Sequence, residues 1–599
     1  MRQDFKLFEQ RILRLWKYSG STFLHNYLKE CLRIVVRKLA GQKVIPNEKI
    51  FVKCDPNGFP TIIPRHLTSF LKIEWDPLYF KDHLPNVERI VAIITLLSIF
   101  RVLPTKVDYT FKTIEDEFNG ECLTLPTKLL KDSLYSLKLT RKTLRKGKIR
   151  FVFGHSSGPN SYIAKFGLIQ DALAYLFYPK QCVNMLRYFL HNGGIPQIIY
   201  FICVIILIGP FYWILIKVTN TSFFIKRNWD VIPYVLGRLS IVYDQAGKAR
   251  VIAITNAWLQ SAFKPLHDSI FSFLKTLPMD GTFDQLKPLK ILFGKLKEGT
   301  ILYGFDLSAA TDRLPVKLQE DILNLLGIDG TTWRNALSLP WSASHLGQTF
   351  VWYSVGQPMG AYSSWAMLAL THHVIVQAAA RRAGISDFDL YCILGDDIVI
   401  ADDAVANQYL EIMKSLGVEV NLQKSVTSCE FTEFAKRLMG PNMDISPIGP
   451  GLILNTIRNK YYVSQLIIEL IKRGLLELAW INEFITNNLN IFKRRNLNIL
   501  AWIILFRDLS DRVSKAFSDK KHLWLTFHNE TMPDDIFTRY LYKDSVGILV
   551  PGLNLLLKCQ LMTLCKAPGK LVREYLLFTQ YNFSRLGYMQ IHPFLMVLS

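Results

Sequence analysis

Hydrophobic and polar residues follow two different periods along the chain. Residues 1–40 place Leu, Ile and Val three or four positions apart among basic residues, which predicts an amphipathic helix. Residues 238–254 alternate every second position around a turn at 245–247, which predicts a β-hairpin. Residues 301–440 mix strand and helix patterns, and helical spacing returns beyond residue 450. These patterns together predict an α+β fold.

Two adjacent carboxylates, Asp396 and Asp397, interrupt the apolar run 391–400 directly after a glycine. Burying ionised carboxylates without a partner is costly, so such acids belong on a solvated turn or beside a cation. The apolar residues on either side predict a second hairpin with the acids at its turn. Another strand pattern ends at Asp306. If the hairpin pairs beside that strand, all three carboxylates converge.

Converging carboxylate oxygens are the ligands of a hard divalent cation, and few carboxylates with open positions favour Mg²⁺ shared with substrate phosphates. Two such ions about 4 Å apart can activate a hydroxyl and stabilise the leaving oxygen of a phosphoryl displacement. A Gly-Asp turn alone is common in hairpins. Here Asp306 is followed by Asp312 six positions later and then by the pair at 396–397. We therefore expect two Mg²⁺ ions, or Mn²⁺ in their place.

Basic residues outnumber acidic ones by 71 to 49, which gives a formal net charge of +22. Such an excess favours a polyanionic partner, either nucleic acid or an anionic membrane surface. Lys248 and Arg250 lie two positions apart on one strand face, which suits triphosphate binding. Lys424 follows a strand pattern and could protonate departing pyrophosphate. The basic stretch 138–150 is either a solvated helix face or a contact with a phosphate backbone.

Glycines and hydroxyl groups lie at the start of a long helical pattern, in residues 355–365. Gly360, Ser363 and Ser364 could offer amides and hydroxyls to a nucleotide or a template strand. The alternative is an ordinary capped helix start. The two histidines at 372–373 are expected to pack or to face the template, since no third metal ligand is evident.

An uncharged apolar stretch covers residues 193–216, which is long enough to cross a bilayer as a helix. Gly209 and Pro210 would break such a helix near its middle. A membrane contact through 195–216, a re-entrant or surface segment, and an aromatic-rich core segment all remain open. The nine cysteines show no zinc-binding spacing and no disulfide framework.

The order of these motifs is similar to that of the RNA-dependent RNA polymerases of mitoviruses, which are capsidless positive-strand RNA viruses. The motifs are GKAR (247–250), DLSAATD (306–312), GQPMGAYSSWAMLALTHH (356–373), YCILGDD (391–397) and QKS…EFAKR (423–437). The segments at 158–160 and 278–285 also resemble that family. One departure is Asn256, which stands where the family pattern is expected to have aspartate.

The resemblance implies a right-handed polymerase with fingers, an antiparallel-sheet palm and a helical thumb. It implies a basic helical extension over 1–150, fingers over 151–300 with the 238–254 hairpin, a palm over 301–440 and a thumb over 441–599. It also implies replication of a viral RNA genome in host mitochondria, with RNA template, nascent RNA and ribonucleoside triphosphates as partners.

The same resemblance implies roles for individual residues. Asp306, Asp396 and Asp397 would hold the two ions, and Lys424 would be the general acid. Asp312 and Ser364 would sense the incoming ribose. The implied nucleotide-binding set is Lys248, Arg250, Asp312, Gly360, Ser363 and Ser364.

Two other functions compete with this hypothesis. A reverse transcriptase would use a similar palm, but its catalytic hairpin usually reads aromatic-x-Asp-Asp, whereas Leu394 and Gly395 precede the acids here. A non-enzymatic membrane protein would account for residues 193–216 and the basic charge. In that case a change at Asp396 should leave every activity intact.

Overall fold

A computed structural model describes residues 2–68, 85–104, 109–144, 147–152, 157–161, 167–211, 234–244, 248–422 and 425–458, with single residues or short pieces between 466 and 475. The chain divides into two compact units, Met1–Pro447 and Ile448–Ser599. Nearly all described residues belong to the first unit.

Helices dominate the described residues before 234 and then alternate with strands. The α-helices are α1 (Arg2–Leu39), α2 (Arg65–Thr68), α3 (Pro85–Leu97), α4 (Lys112–Glu115), α5 (Thr127–Ser136), α6 (Leu168–Ala174), α7 (Pro179–His191), α8 (Ile195–Cys203), α9 (Ala257–Leu274), α10 (Lys287–Phe293), α11 (Ala310–Arg313), α12 (Val316–Leu325), α13 (Gly330–Leu337), α14 (Ser364–Arg382), α15 (Asp403–Ser415) and α16 (Pro450–Arg458). α1 is kinked at Gly20, whose φ of 79° is not helical.

The strands form three sheets. They are β1 (Gly237–Asp244), β2 (Lys248–Thr255), β3 (Leu302–Asp306), β4 (Trp341–Ala343), β5 (Gln348–Val351), β6 (Tyr391–Leu394), β7 (Asp397–Ile400), β8 (Val426–Ser428), β9 (Thr432–Phe434), β10 (Arg437–Gly440) and β11 (Met443–Asp444). The orders are β2-β1-β4-β5, β6-β7-β3-β8 and β11-β10-β9. β1 and β4 pair in parallel, whereas all other pairs are antiparallel.

The β6-β7-β3-β8 sheet, called the central sheet below, is covered by a hydrophobic core on each face. Alternate side chains such as Phe305 and Ile398 join the main core, which also contains the buried helix α14. Their neighbours Leu302 and Val399 join a smaller core with α10. Successive strand residues point to opposite faces, so apolar residues at every position bury both sides of this sheet.

The N-terminal helix α1 packs against the end of the same unit. Its residues Leu28 and Val35 share a third core with Val426 of β8 and Leu438 of β10. Arg37 reinforces the contact by donating to the carbonyl of Leu422. The beginning of the chain thus packs against β8, the edge strand of the central sheet, and against β10.

Both predicted hairpins, the N-terminal helix and the α+β class are confirmed. The predicted domain boundaries at 150, 300 and 440 stay predictions, and most of the proposed thumb lies outside the described residues.

The sequence left open whether residues 195–216 contact a membrane. Within the described ranges, no helix combines the length and apolar character needed to cross a membrane. α8 passes into a π-helical turn at Val204–Ile208, and residues 212–216 lie outside the description. Phe201 and Val204 are buried in the main core. The other side of the same stretch is exposed, as at Ile199, Ile206 and Phe211.

Candidate active site

The two acids at 396–397 lie at a tight hairpin turn. Leu394 of β6 pairs with Asp397 of β7, so that Gly395 and Asp396 form a two-residue loop. Gly395 has a φ of 64°, a conformation that favours glycine at the first position of such loops. A Cβ atom at Gly395 would also lie 2.5 Å from the indole of Trp365. Both the turn and its close packing therefore require glycine.

β3 brings the third carboxylate to the same place. Asp306 is the direct cross-strand partner of Asp397, so the two side chains project from one face of the sheet. Gly304 makes room on that face, because a Cβ atom there would lie 2.6 Å from Oγ1 of Thr432 in β9. The sequence-based prediction that Asp306 converges with the acidic turn is confirmed.

The acids at this turn disfavour one another's charge. Burial raises the pKa of Asp397 to about 7, with further contributions from the negative charges of Asp396, Glu433 and Asp306. The backbone N–H of Ala435 offsets part of this by bonding to the Asp397 carboxylate. Partial burial also raises the pKa of Asp396, again with a contribution from Asp306. Burial and the neighbouring negative charges therefore both disfavour the ionised forms of Asp396 and Asp397.

Two cations face this cluster from the neighbouring hairpin. Arg250 and Lys248 of β2 are exposed, and each lowers the pKa of Asp396 through its positive charge. The attraction between two charges weakens with the distance between them. The positive charges of the predicted triphosphate-binding pair therefore reach the acidic turn.

The donor set fits Mg²⁺ that is shared with a substrate. Among the described residues, no group of three or more acidic, histidine or cysteine side chains is arranged to hold a metal by itself. Mg²⁺ usually binds one or two carboxylates, several waters and substrate phosphates, not an all-protein cage. Asp306 and Asp397 on one sheet face, with Asp396 at the adjoining turn, supply that kind of partial site.

Comparison of the sequence with known proteins places the chain in a family. A family-wide sequence model described as Mitovirus RNA-dependent RNA polymerase matches residues 140–555, more than half of the chain. The chain belongs to the mitovirus RNA-dependent RNA polymerase family.

Individual relatives cover different parts of the chain. The RNA-directed RNA polymerase of Cryphonectria parasitica mitovirus 1 is 40% identical over 501 residues, which is 82% of this chain. That match covers 59% of the relative, so the chain spans less than two thirds of the relative's length. An uncharacterized mitochondrial protein of Arabidopsis thaliana is 38% identical over 202 residues, covering 31% of this chain and 78% of that protein. The solved RNA-dependent RNA polymerase of a human picobirnavirus matches at 14% identity with a TM-score of 0.33, covering 40% of this chain and 53% of that one.

In this mitovirus polymerase family member, residues 356–363 form a loop that is fastened to several elements. The Gly356 N–H donates to Asp312 O at 3.0 Å, and the Ala253 N–H donates to Met359 O at 2.7 Å. Gln260 bonds the loop twice, at Gly360 O (2.9 Å) and at the Tyr362 N–H (2.7 Å). The loop is therefore positioned by the β2 strand, by α9 and by α11.

The glycine and serines of this loop make protein contacts. Gly360 has a φ of 124°, and a Cβ atom there would lie 2.4 Å from Ala253 O. Ser363 is fully buried and its Oγ accepts a bond of 2.9 Å from Trp333 Nε1. Ser364 is nearly as buried, and its carbonyl accepts from Gln357. Their predicted contacts with a nucleotide stay predictions.

Asp312 lies between the loop and α4. Burial raises its pKa to about 6, while a 2.9 Å bond from the Thr113 hydroxyl and the charge of Arg313 act in the opposite direction. Its role toward ribose stays a prediction. Lys424, the predicted general acid, lies outside the described residues.

The two histidines of α14 support the acidic turn from behind. His372 Nδ1 lies 2.8 Å from Gly395 O, and its Nε2 lies 2.8 Å from the Tyr409 hydroxyl. Burial lowers the pKa of His372 to about 4, so the ring is neutral. A carbonyl only accepts, so Nδ1 carries the proton and Nε2 accepts from the tyrosine. His373 similarly contacts Asp280 at 3.1 Å. The packing interpretation of both histidines is confirmed.

The sequence analysis did not predict that residues 279–281 lie beside β6 of the central sheet. The Gly281 N–H donates to Ile393 O at 2.8 Å and the Ile393 N–H donates to Met279 O at 2.9 Å, which adds residues 279–281 beside β6. The only signal was the resemblance of residues 278–285 to the family. Asn256, the departure from the family pattern, caps α9 by accepting from the Leu259 N–H.

Proposed function

We propose that this chain is a template-directed RNA polymerase that joins ribonucleoside triphosphates on an RNA template. The observation that supports it most strongly is the convergence of Asp306, at the end of β3, with Asp396 and Asp397 of the acidic turn. The positive charges of Lys248 and Arg250 act on Asp396 at the same place. Clustered carboxylates near exposed basic side chains suit a metal-bound triphosphate. Membership of the mitovirus polymerase family favours the same activity.

Each group has a separate task in this proposal. Asp306, Asp396 and Asp397 would hold two Mg²⁺ ions, whose chemistry is activation of the attacking hydroxyl and neutralisation of charge on the transferred phosphoryl group. Lys248 and Arg250 bind the triphosphate and orient it toward the turn. His372 holds the turn through the Gly395 carbonyl. Asp312 and Ser364 contact the ribose, and Lys424 donates a proton to the departing pyrophosphate.

We further propose that the product is a copy of a viral RNA genome and that the work takes place in mitochondria. Support comes from the family and from two relatives that are mitochondrial proteins of Arabidopsis thaliana. Detection of the tagged chain in isolated mitochondria of an infected host would test the location.

The activity is tested by extension of a short RNA on an RNA template with the purified chain, Mg²⁺ and ribonucleoside triphosphates. Asp306→Ala and Asp396→Ala should each abolish extension, because each removes transition-state stabilisation of several kcal/mol. Asp387→Ala, a change of an exposed acid outside the site, is the matched control and should leave extension unchanged.

Two results would overturn the proposal. Incorporation of deoxynucleotides but not ribonucleotides on the RNA template would indicate a reverse transcriptase. Extension that is equal in the parent and in folded Asp396→Ala would remove the acidic turn from the reaction.

A further inference from the structure

A cleft of about 1150 Å³ lies away from the acidic turn, between residues 136–150, the second half of α9 and the loop that enters β6. Its wall carries five basic side chains, namely Lys138, Lys142, Lys148, Arg150 and Lys264. The remaining wall is largely formed by small and apolar residues of α9 and of the segment that follows it.

The acids in the wall already have cationic partners. Asp268 pairs with Lys264 at 2.7 Å, and Asp389 pairs with Lys295 at 2.6 Å. Lys138, Lys142, Lys148 and Arg150 are exposed, and within the part of the chain that the structure describes none of them forms an ion pair. The cleft therefore has a surplus of four positive charges.

These cations are held in place by the core beneath them. Leu137, Leu139, Leu144 and Ile149 of the same stretch are buried in the main core. The described parts of 138–150 form turns and irregular backbone, so the solvated helix face considered from the sequence does not exist here. Buried residues that alternate with cations fix the backbone and direct the charges into the cleft.

An exposed aromatic ring packs against α9 outside the wall of the cleft. Phe283 is 54% exposed, contacts the ring of Phe271 at a centroid distance of 5.8 Å and lies 5.7 Å from Lys275 Nζ. Proteins that bind single-stranded nucleic acid combine a positive groove for the backbone with aromatic side chains on which bases stack. The cleft and this ring provide both components.

An RNA strand that contacts the acidic turn can also reach the cleft. Met279, in its wall, bonds to Ile393, three positions before Asp396. Asp389, also in its wall, precedes Asp396 by seven positions, which spans at most roughly 25 Å of extended chain. One RNA strand could therefore occupy both places.

We propose that this cleft binds the phosphate backbone of single-stranded RNA as a second contact, outside the site of nucleotide addition, with Phe283 stacking on a base. The identity of the strand as template or product RNA rests on the proposed function. A flat anionic membrane would not enter a concave site of this kind, and an acidic peptide would not use the aromatic ring for base stacking.

The experiment measures the affinity of the full chain for a labelled single-stranded RNA at several salt concentrations, without nucleotides. The double variant Lys142→Gln/Lys148→Gln should flatten the plot of log affinity against log salt by about 1.4, at about 0.7 per lost phosphate contact. Between 50 and 200 mM salt, its loss of affinity should then be about sevenfold smaller than that of the parent. Lys112→Gln/Lys180→Gln, which removes two exposed lysines elsewhere, should keep the parent slope.

Phe283→Ala provides an independent readout. It should weaken binding while leaving the salt slope unchanged, because stacking releases no counterions. A slope for the Lys142/Lys148 variant equal to that of the lysine control would overturn the proposal. So would equal competition by polyglutamate, which would show a general polyanion site.

The outcomes separate the cleft from the proposed activity. Asp396→Ala should bind RNA with the parent slope, since binding at the cleft needs no catalysis. If the parent binds with the expected slopes but does not extend RNA, the proposed function fails and the cleft stands. If the parent extends RNA while the cleft variants keep its slope, only the cleft fails.

Discussion

Replacing Asp397 with asparagine should stabilise the protein while it abolishes activity. Asp397 faces Asp306 across the sheet and lies beside Asp396 and Glu433, and its pKa is raised from 3.8 to about 7. The folded protein therefore holds this proton more tightly than the unfolded chain. Stability from this group is fully present below pH 4 and is lost as the pH rises through 7.

The size of the change in the free energy of unfolding follows from the shift in the pKa of Asp397. A rise of about three pKa units at about 1.4 kcal/mol each corresponds to roughly 4 kcal/mol lost from the free energy of unfolding above pH 7. Asp397→Asn keeps the size of the side chain and removes its charge. Its thermal unfolding midpoint should exceed that of the parent at pH 8, and the difference should vanish toward pH 4.

The assay is thermal unfolding of both proteins between pH 4 and pH 8, with Asp387→Asn as an exposed control that should follow the parent. Mg²⁺ should raise the parent's midpoint at pH 8 more than that of Asp397→Asn, because the ion offsets repulsion that the variant lacks. A variant that is less stable at pH 8, or a difference that does not depend on pH, would refute the idea that these carboxylates repel one another.

Three other substitutions test how the turn is held and served. His372→Asn keeps an N–H donor near the Nδ1 position, whereas His372→Gln leaves the buried Gly395 carbonyl unpaired at a cost of about 1–3 kcal/mol. Extension should therefore fall more in the glutamine variant. Equal rates in the two variants would contradict the tautomer assignment. Gly395→Ala should lower the unfolding midpoint and abolish extension, because its Cβ would clash with Trp365 and its φ would be strained; a folded, active variant would show that the turn tolerates another shape. Lys248→Ala should chiefly raise the nucleotide concentration needed for half-maximal extension, and an effect limited to unfolding would exclude the triphosphate role.

Local patterns in the sequence were enough to predict the hairpins and their acids. The alternation of apolar and polar residues around 245–247 and the Gly-Asp-Asp turn depend only on residues that are close in sequence. A short stretch of sequence is therefore enough to predict each hairpin. The convergence of Asp306 with Asp397 was expected only if the second hairpin paired beside the strand that ends at Asp306, and the structure shows that pairing.

Tertiary contacts decided what the sequence did not reveal. The hydroxyl of Ser363 looks available in the sequence, yet Trp333 occupies it from thirty positions away. The role of His372 depends on its hydrogen bonds with Gly395 and Tyr409, and no local sequence pattern connects these residues to it. Apolar composition at 193–216 does not distinguish a membrane from a protein core, and the burial of Val204 depends on distant residues.

The family-wide match begins at residue 140, whereas helix α1 ends at Leu39 and shares a core with Val426 and Leu438. A shortened chain that started at residue 140 would leave those strand residues facing water, and it should aggregate during expression. The start of the family-wide match is therefore not a limit of independent folding. A change on the face of α1 that carries Leu28 and Val35 would have to be matched by a change in the strands that this face covers.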